Sequence, residues 1–492
     1  MYHQSPVKFF VLAIVLFLFT VSLRAAQSKI KVRINGISDT TIILAHYFNK
    51  SIYPDDTIYL NSKGKGVFKS QKSYPQGMYM FYMPSGKFIQ FMMGEDQVFS
   101  IVTDTSNFVS DAVVKGSEEN TIFFDFQKYM INKRAEIKQY SDILNSEASE
   151  AEKQAARTKI KKLGEESREL IQGIVAGHSD LFVSVFLKST LDIDVPDPPV
   201  ADTSDSEEWK YRYYKAHYFD NFNPADGRLL RTPLYEDKIM NYLEKVVFQI
   251  PDTIIKEIDP IIDGARSDSA LFRYLLITLF NHYGNSNIMG FDAIQVHLAE
   301  KYYLKDAWWS SEEFLKDLQE RVEILKPLTL GNTAPDVELL FVPSEHFKTA
   351  ANDTALKRYP HVGRLLKLHE IPADYLVLFF WEANCSHCKV AVPKMYSIYK
   401  EQLETMGVKV IAISTLFGED GKEKWIDFVN KHQTYDWMNA WNPYDYQYKI
   451  TYDILSTPQI FILDKDKKII GKRIGPEQVP ELIRAYKEQF GK

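Results

Sequence analysis

YLVLFFWEANCSHCKVAVPKM, residues 375–395, joins an apolar run to both cysteines of a 492-residue chain. YLVLFFW (375–381) carries no charge and no turn residue, so it reads as a strand buried on both faces. Beyond the cysteines, PKMYSIYKEQLETM (393–406) has helical spacing. The cysteines therefore sit where a strand gives way to a helix. Unpaired amides and the positive end of the macrodipole stabilise an anion there, and a thiolate at Cys385 gains from both. C-x-x-C spacing also lets the second sulfur reach the first, so a mixed disulfide can be resolved within the chain. Cys385 is the candidate exposed nucleophile and Cys388 the candidate buried, resolving thiol.

Working downstream, VKVIAIS (408–414) and QIFILD (459–464) are further apolar runs, alternating with helical patterns at KEKWIDFVNKH (422–432) and QVPELIRAYKEQF (478–490). That alternation predicts an α/β sheet with a parallel core. Upstream, KPLTLGNTAPDVEL (326–339) is a Pro- and Gly-containing boundary, so the α/β domain is expected over 326–492.

The first two thirds are different. KIKVRING, TIILAHYF, GMYMFYM, KFIQFMM and DQVFSIVTD, all before residue 105, alternate with period two and are separated by turn residues. They predict an antiparallel β-sandwich over 27–117. From 118 to 325 the pattern is helical, as in EASEAEKQAARTKIKKLGEESRELIQGIV (147–175) and SALFRYLLITLFNHY (269–283), broken by the acidic, Pro-containing loop 192–209. This middle domain is expected to be all-α. Its aromatic cluster YRYYKAHYFDNF (211–222) reads as packing rather than a groove, and His282, Asp292 and His297 lack metal-ligand spacing.

A net charge of −6 leaves no electrostatic footprint for nucleic acid. Lys8 precedes FFVLAIVLFLFTVSL (9–23) and the small residues Ala25 and Ala26, which together describe a secretory signal over 1–26; an uncleaved membrane anchor is the alternative. Export places the cysteine pair in the periplasm or cell envelope, where disulfides persist. Zinc is disfavoured because two cysteines fall short of four ligands, and haem attachment because Lys389, not histidine, follows the second cysteine.

Trp381 after its strand, CSHC, Pro393 five residues past Cys388, and Thr457-Pro458 opening a later strand together resemble the thioredoxin superfamily. GNTAPDVEL (331–339) and the inserted unit 408–433 resemble its TlpA/ResA-like branch of envelope thiol-disulfide oxidoreductases. The first 330 residues resemble, more weakly, upstream domains of the DUF4369 and DUF5106 types. The resemblance implies a cis Pro458 that, with Thr457, docks the substrate chain, a Trp381 ring flanking the site, and a redox disulfide between Cys385 and Cys388. It implies protein thiols and disulfides as partners, a membrane-embedded thiol carrier as electron donor, and no nucleotide, flavin or metal cofactor.

Two departures stand out. The superfamily's buried acid, six residues before the first cysteine, is Phe379 here, and the ResA-like glutamate three residues past the second is Ala391. Ser386 and His387 bear on the potential. A protonated imidazole stabilises a thiolate and makes the disulfide more oxidising, with about 30 mV corresponding to 1.4 kcal/mol. The direction of transfer, reductase against oxidase or isomerase, stays open. So does a second class of function, an envelope binding or scaffold protein whose cysteine pair is a static disulfide. Peroxide reduction is disfavoured, since the residues around Asn384 do not resemble a peroxiredoxin site.

Overall fold

The alternation before residue 105, together with one short strand after it, folds as two four-stranded sheets. In the computed structural model, which describes residues 28–199, 205–350, 363–442 and 446–490, β1 (Ser28–Asn35), β4 (Lys65–Ser70), β7 (Val98–Asp104) and β8 (Val113–Lys115) form one sheet in the order β4-β1-β7-β8. β2 (Thr40–Phe48), β3 (Ser51–Leu60), β5 (Gly77–Tyr82) and β6 (Phe88–Met93) form the other, in the order β3-β2-β5-β6. Inward residues of both, among them Ile30, Val32, Phe68, Phe81 and Phe91, share one core, with the Phe68 and Phe81 rings stacked at 5.5 Å. The sandwich is not antiparallel throughout. β1 pairs with β7 in parallel, and the long excursion through the second sheet supplies the crossover that such a pair requires. The expected secretory segment 1–26 lies outside the described residues.

Helices come next, beginning with Glu118–Leu144 and Glu150–Gly177. Ser117 caps the first, and Ser149 with Glu152 forms a capping box on the second. Glu119 is buried, and its carboxylate accepts the Phe182 and Val183 amides at 2.8 and 2.7 Å, closing the open N-terminus of the helix Phe182–Ser189. The chain forms two compact units, Met1–Tyr242 and Leu243–Lys492. No described helix is long and apolar enough to cross a membrane.

The second unit holds the helices Pro251–Gly264, Ser269–Gly284 and Glu312–Leu325 together with a seven-stranded sheet. The strands are β9 (Glu338–Val342), β10 (Arg364–Lys367), β11 (Tyr375–Trp381), β12 (Val408–Ser414), β13 (Met438–Trp441), β14 (Gln459–Asp464) and β15 (Ile469–Lys472). Their order is β10-β9-β13-β12-β11-β14-β15. β13, β12 and β11 are parallel and the flanking pairs antiparallel, which gives the expected parallel core. β11 is buried on both faces. Val377, Phe379 and Trp381 enter one apolar cluster, and Leu376, Leu378 and Phe380 the other.

Candidate functional site

Strand β11 ends at Trp381, and a short turn closed by the Cys385 amide on the Glu382 carbonyl, at 3.2 Å, delivers the chain to the helix Ser386–Ile398. Cys385 is the N-cap of that helix, with φ −75° and ψ 127°, and its carbonyl accepts the Lys389 amide at 3.2 Å. Cys388 lies in the first turn and is fully buried, whereas Cys385 is partly exposed; both are free thiols.

The two sulfurs have opposite surroundings. Partial burial works against the Cys385 thiolate, but the Cys388 amide and thiol, the Thr457 side chain and the His387 amide all favour it, and its pKa falls below that of an ordinary thiol. Its Sγ also lies 3.3 Å from the Thr457 carbonyl oxygen. Burial pushes Cys388 the other way, up to about 12, against the counter-effect of the Glu382 amide, which donates to its Sγ at 3.5 Å. The first sulfur thus ionises more readily than an ordinary thiol, and the second holds its proton at neutral pH.

The remaining sequence-derived candidates fall around this pair unevenly. The Thr457–Pro458 peptide is cis, and Thr457 faces Cys385. Ser386 and His387 lie in the first helical turn, and His387 acts on Cys385 through its peptide N–H. Pro393 stands inside the helix, half-buried. Trp381 is fully buried in the apolar cluster that contains Cys388, its ring 4.8 Å from that of Phe428; among the described residues its indole N–H has no hydrogen-bond partner. Phe379 and Ala391, the two positions at which the resemblance implies an acid, pack with that same cluster, so neither supplies a carboxylate. His282, Asp292 and His297 each face an ionisable partner: Glu244 at 3.5 Å, Lys472, and Asp259 at 2.7 Å respectively. In the aromatic cluster Tyr218 and Phe222 are buried, and Tyr213 stacks on His217 at 4.2 Å.

Other neighbours of the site carry no sequence motif. Glu382 is held by the Thr415 hydroxyl at 2.6 Å and lies 3.6 Å from the Lys449 ammonium. Asp453, which lines a cavity together with Pro458, is almost fully buried and receives two guanidinium groups, from Arg321 and Arg473. Arg321 lies 132 residues from Asp453 in the chain, a separation no local pattern reports.

Residues 373–469 match the family described as thioredoxin-like. Residues 28–123 and 136–326 match DUF4369 and DUF5106, each described as a domain of unknown function. The chain is 30% identical over 130 residues to the thiol-disulfide oxidoreductase ResA of a Bacillus cereus strain, covering 26% of this chain and 70% of that protein. ResA of Bacillus anthracis is 30% identical over 129 residues, covering 25% and 68%. Among solved structures, a thioredoxin-like protein from Bacteroides caccae is 18% identical, with a TM-score of 0.43, covering 60% of this chain and all (100%) of that one. A domain of a possible thiol-disulfide isomerase from Cytophaga hutchinsonii is 29% identical, with a TM-score of 0.27, covering 33% and 96%.

Proposed function

This chain belongs, through its C-terminal region, to the thioredoxin-like thiol-disulfide oxidoreductases, and from that premise we propose that it exchanges dithiol for disulfide with other proteins through Cys385 and Cys388. The observation that carries the proposal is the asymmetry of the pair. A partly exposed N-cap thiol with a depressed pKa stands beside a buried thiol raised to about 12.

In the reducing direction the Cys385 thiolate attacks one sulfur of a client disulfide, and the other client sulfur leaves as a thiolate. The Cys388 thiol then passes its proton to that departing side and attacks Cys385 Sγ, releasing the second client sulfur. Two electrons have moved to the client, and the Cys385–Cys388 disulfide remains. Run backwards, the same steps oxidise a client dithiol. Thr457 and the cis Pro458 hold the client backbone against Cys385, and Trp381 and Pro393 support the strand and helix that carry the pair. Ser386 and His387 set the potential. The clients are thiol- or disulfide-bearing proteins, and a membrane-embedded dithiol carrier restores the pair after each cycle. The apolar run 9–23 supports export, which places this chemistry in the periplasm or cell envelope. The β-sandwich over 27–117 and the helices over 118–325 position the redox domain over 326–492 or recognise its partners.

Purified protein is expected to catalyse thiol-dependent insulin reduction or disulfide exchange, and Cys385→Ser to abolish both. Wild type indistinguishable from Cys385→Ser would overturn the proposal in favour of a scaffold with a static disulfide.

A further inference from the structure

We propose that this site selects clients carrying an acidic side chain beside the reacting cysteine, read by a basic cavity that Arg321 and Arg473 form next to Pro458. The inference rests on the disulfide-exchange reading and deepens it by assigning a substrate class.

A cavity of about 490 Å³ is lined by Arg321, Asp453, Leu455, Ser456, Pro458, Gln459, Arg473 and Ile474. Pro458 is thus at once a wall of this cavity and the residue after Thr457, whose carbonyl oxygen lies 3.3 Å from Cys385 Sγ. A polypeptide engaged at Cys385 and lying along Thr457–Pro458 passes the mouth of the cavity.

Its charge is unbalanced. Among the described residues the only carboxylate in the lining is Asp453, whose side chain is 3% exposed and accepts from Arg321 Nη1, from Arg321 Nη2 at 2.8 Å and from Arg473 Nη2 at 3.2 Å. One buried negative charge therefore holds two guanidinium groups and leaves a net positive charge on the wall. Arg321 and Arg473 remain 39% and 47% exposed, so solvent or a ligand reaches both. Each guanidinium has five N–H donors in a rigid fork, more than one shared carboxylate accepts from, and that fork matches a second carboxylate. Buried Asp453 fixes both groups in place beforehand, which lowers the entropic cost of binding. Leu455, 80% exposed at the lip, offers an apolar contact for the client backbone or a neighbouring side chain. Cation, fixed donors and apolar lip together favour an extended peptide with Asp or Glu near its cysteine.

The test uses the full-length protein and end-blocked, disulfide-linked peptides in which Glu, Gln or Lys is stepped along the positions on either side of the cysteine. At the preferred position kcat/KM is expected to be about tenfold higher for Glu than for Gln, and lower still for Lys, with the gap narrowing as salt is raised. Arg473→Gln is expected to bring the Glu-to-Gln ratio of kcat/KM close to one, since the remaining Arg321 charge is balanced by Asp453. Equal rates for Glu, Gln and Lys at every position, or a Glu preference undiminished in Arg473→Gln, would overturn this inference alone. Wild type no faster than Cys385→Ser on every peptide would overturn the exchange reading and this inference with it.

Discussion

At Cys385 and Cys388, two chemically identical side chains within one helical turn are driven apart by their surroundings. The N-cap position exposes one sulfur to amide donors, and the apolar cluster beneath β11 encloses the other. Thiolate, not thiol, reacts with alkylating reagents, so the sign is direct: labelling rises with pH through each group's pKa. In the reduced protein, Cys385 labelling by iodoacetamide is expected to reach half its maximum below the pH that suits an ordinary thiol. Cys388 should stay unlabelled until the pH nears about 12, and mass mapping of the modified peptides over a pH series checks both. His387 divides two physical effects. Its amide bears on Cys385 in the structure, whereas the sequence suggests its imidazole. If the ring adds to the amide, His387→Ala makes the couple more reducing by roughly 30 mV, read from a glutathione redox titration. The cysteines were legible because a pair at helical spacing after an apolar strand has few other meanings. Asp453, Arg473 and Lys449 were not, because a lone charged residue in a turn or a short helix looks like solvated surface until the fold brings its partner to it.

Among the elements, β11 was the most readable. Seven apolar residues without a polar face admit a central strand, and both faces are indeed covered by core. The parallel β1–β7 pair was hidden, since alternation reports which face of a strand is buried and says nothing of its neighbour's direction. β15 holds a second hidden feature. Lys472 is 3% exposed, and its ammonium reaches Asp292 and, at 2.5 Å, the Leu328 carbonyl. Burial pulls the Lys472 pKa down, and the Asp292 charge resists that fall. The strand IIGK (469–472) ends in an interior ion pair with the helix Asp292–Leu298. Removing one partner strands the other charge away from water. Asp292→Asn is expected to lower stability by about 3 kcal/mol, measured by urea denaturation, with m unchanged. Neutralising both, as in Lys472→Met with Asp292→Leu, should recover most of that loss.

On the scale of the molecule, the composition shift at 326–339 marks a natural place to cut, and the thioredoxin-like match lies wholly beyond it, at residues 373–469. Compactness draws the line elsewhere, at Leu243, so that the helices after it share one unit with the redox sheet. Periodicity reads helix on both sides of residue 243 and carries no mark of this division, because it depends on which side chains meet across long separations. Two charged contacts show what the shared unit does. Arg321 on the helix Glu312–Leu325 shares buried Asp453 with Arg473, and Asp292 neutralises buried Lys472, so the loop before Pro458 takes one of its two counter-charges, and the last strand of the sheet the counter-charge of Lys472, from the helices. A fragment beginning at residue 243 keeps both pairs; one beginning at residue 326 keeps Asp453 and Lys472 and loses Arg321 and Asp292. Arg473 still faces Asp453 in the shorter fragment, but Lys472 loses its carboxylate, and breaking a buried pair costs about 3–5 kcal/mol, a large share of a domain's total stability of about 5–15 kcal/mol. The longer fragment is expected to retain the cooperative unfolding and the Cys385 labelling profile of the full protein. The shorter one should unfold at a far lower urea concentration or fail to fold, although every residue of the thioredoxin-like match is present. Parallel urea titrations of the two fragments decide it. Equal midpoints would mean that Arg473 and solvent suffice for Asp453 and Lys472, and that the helices serve the redox domain only by recognising its clients.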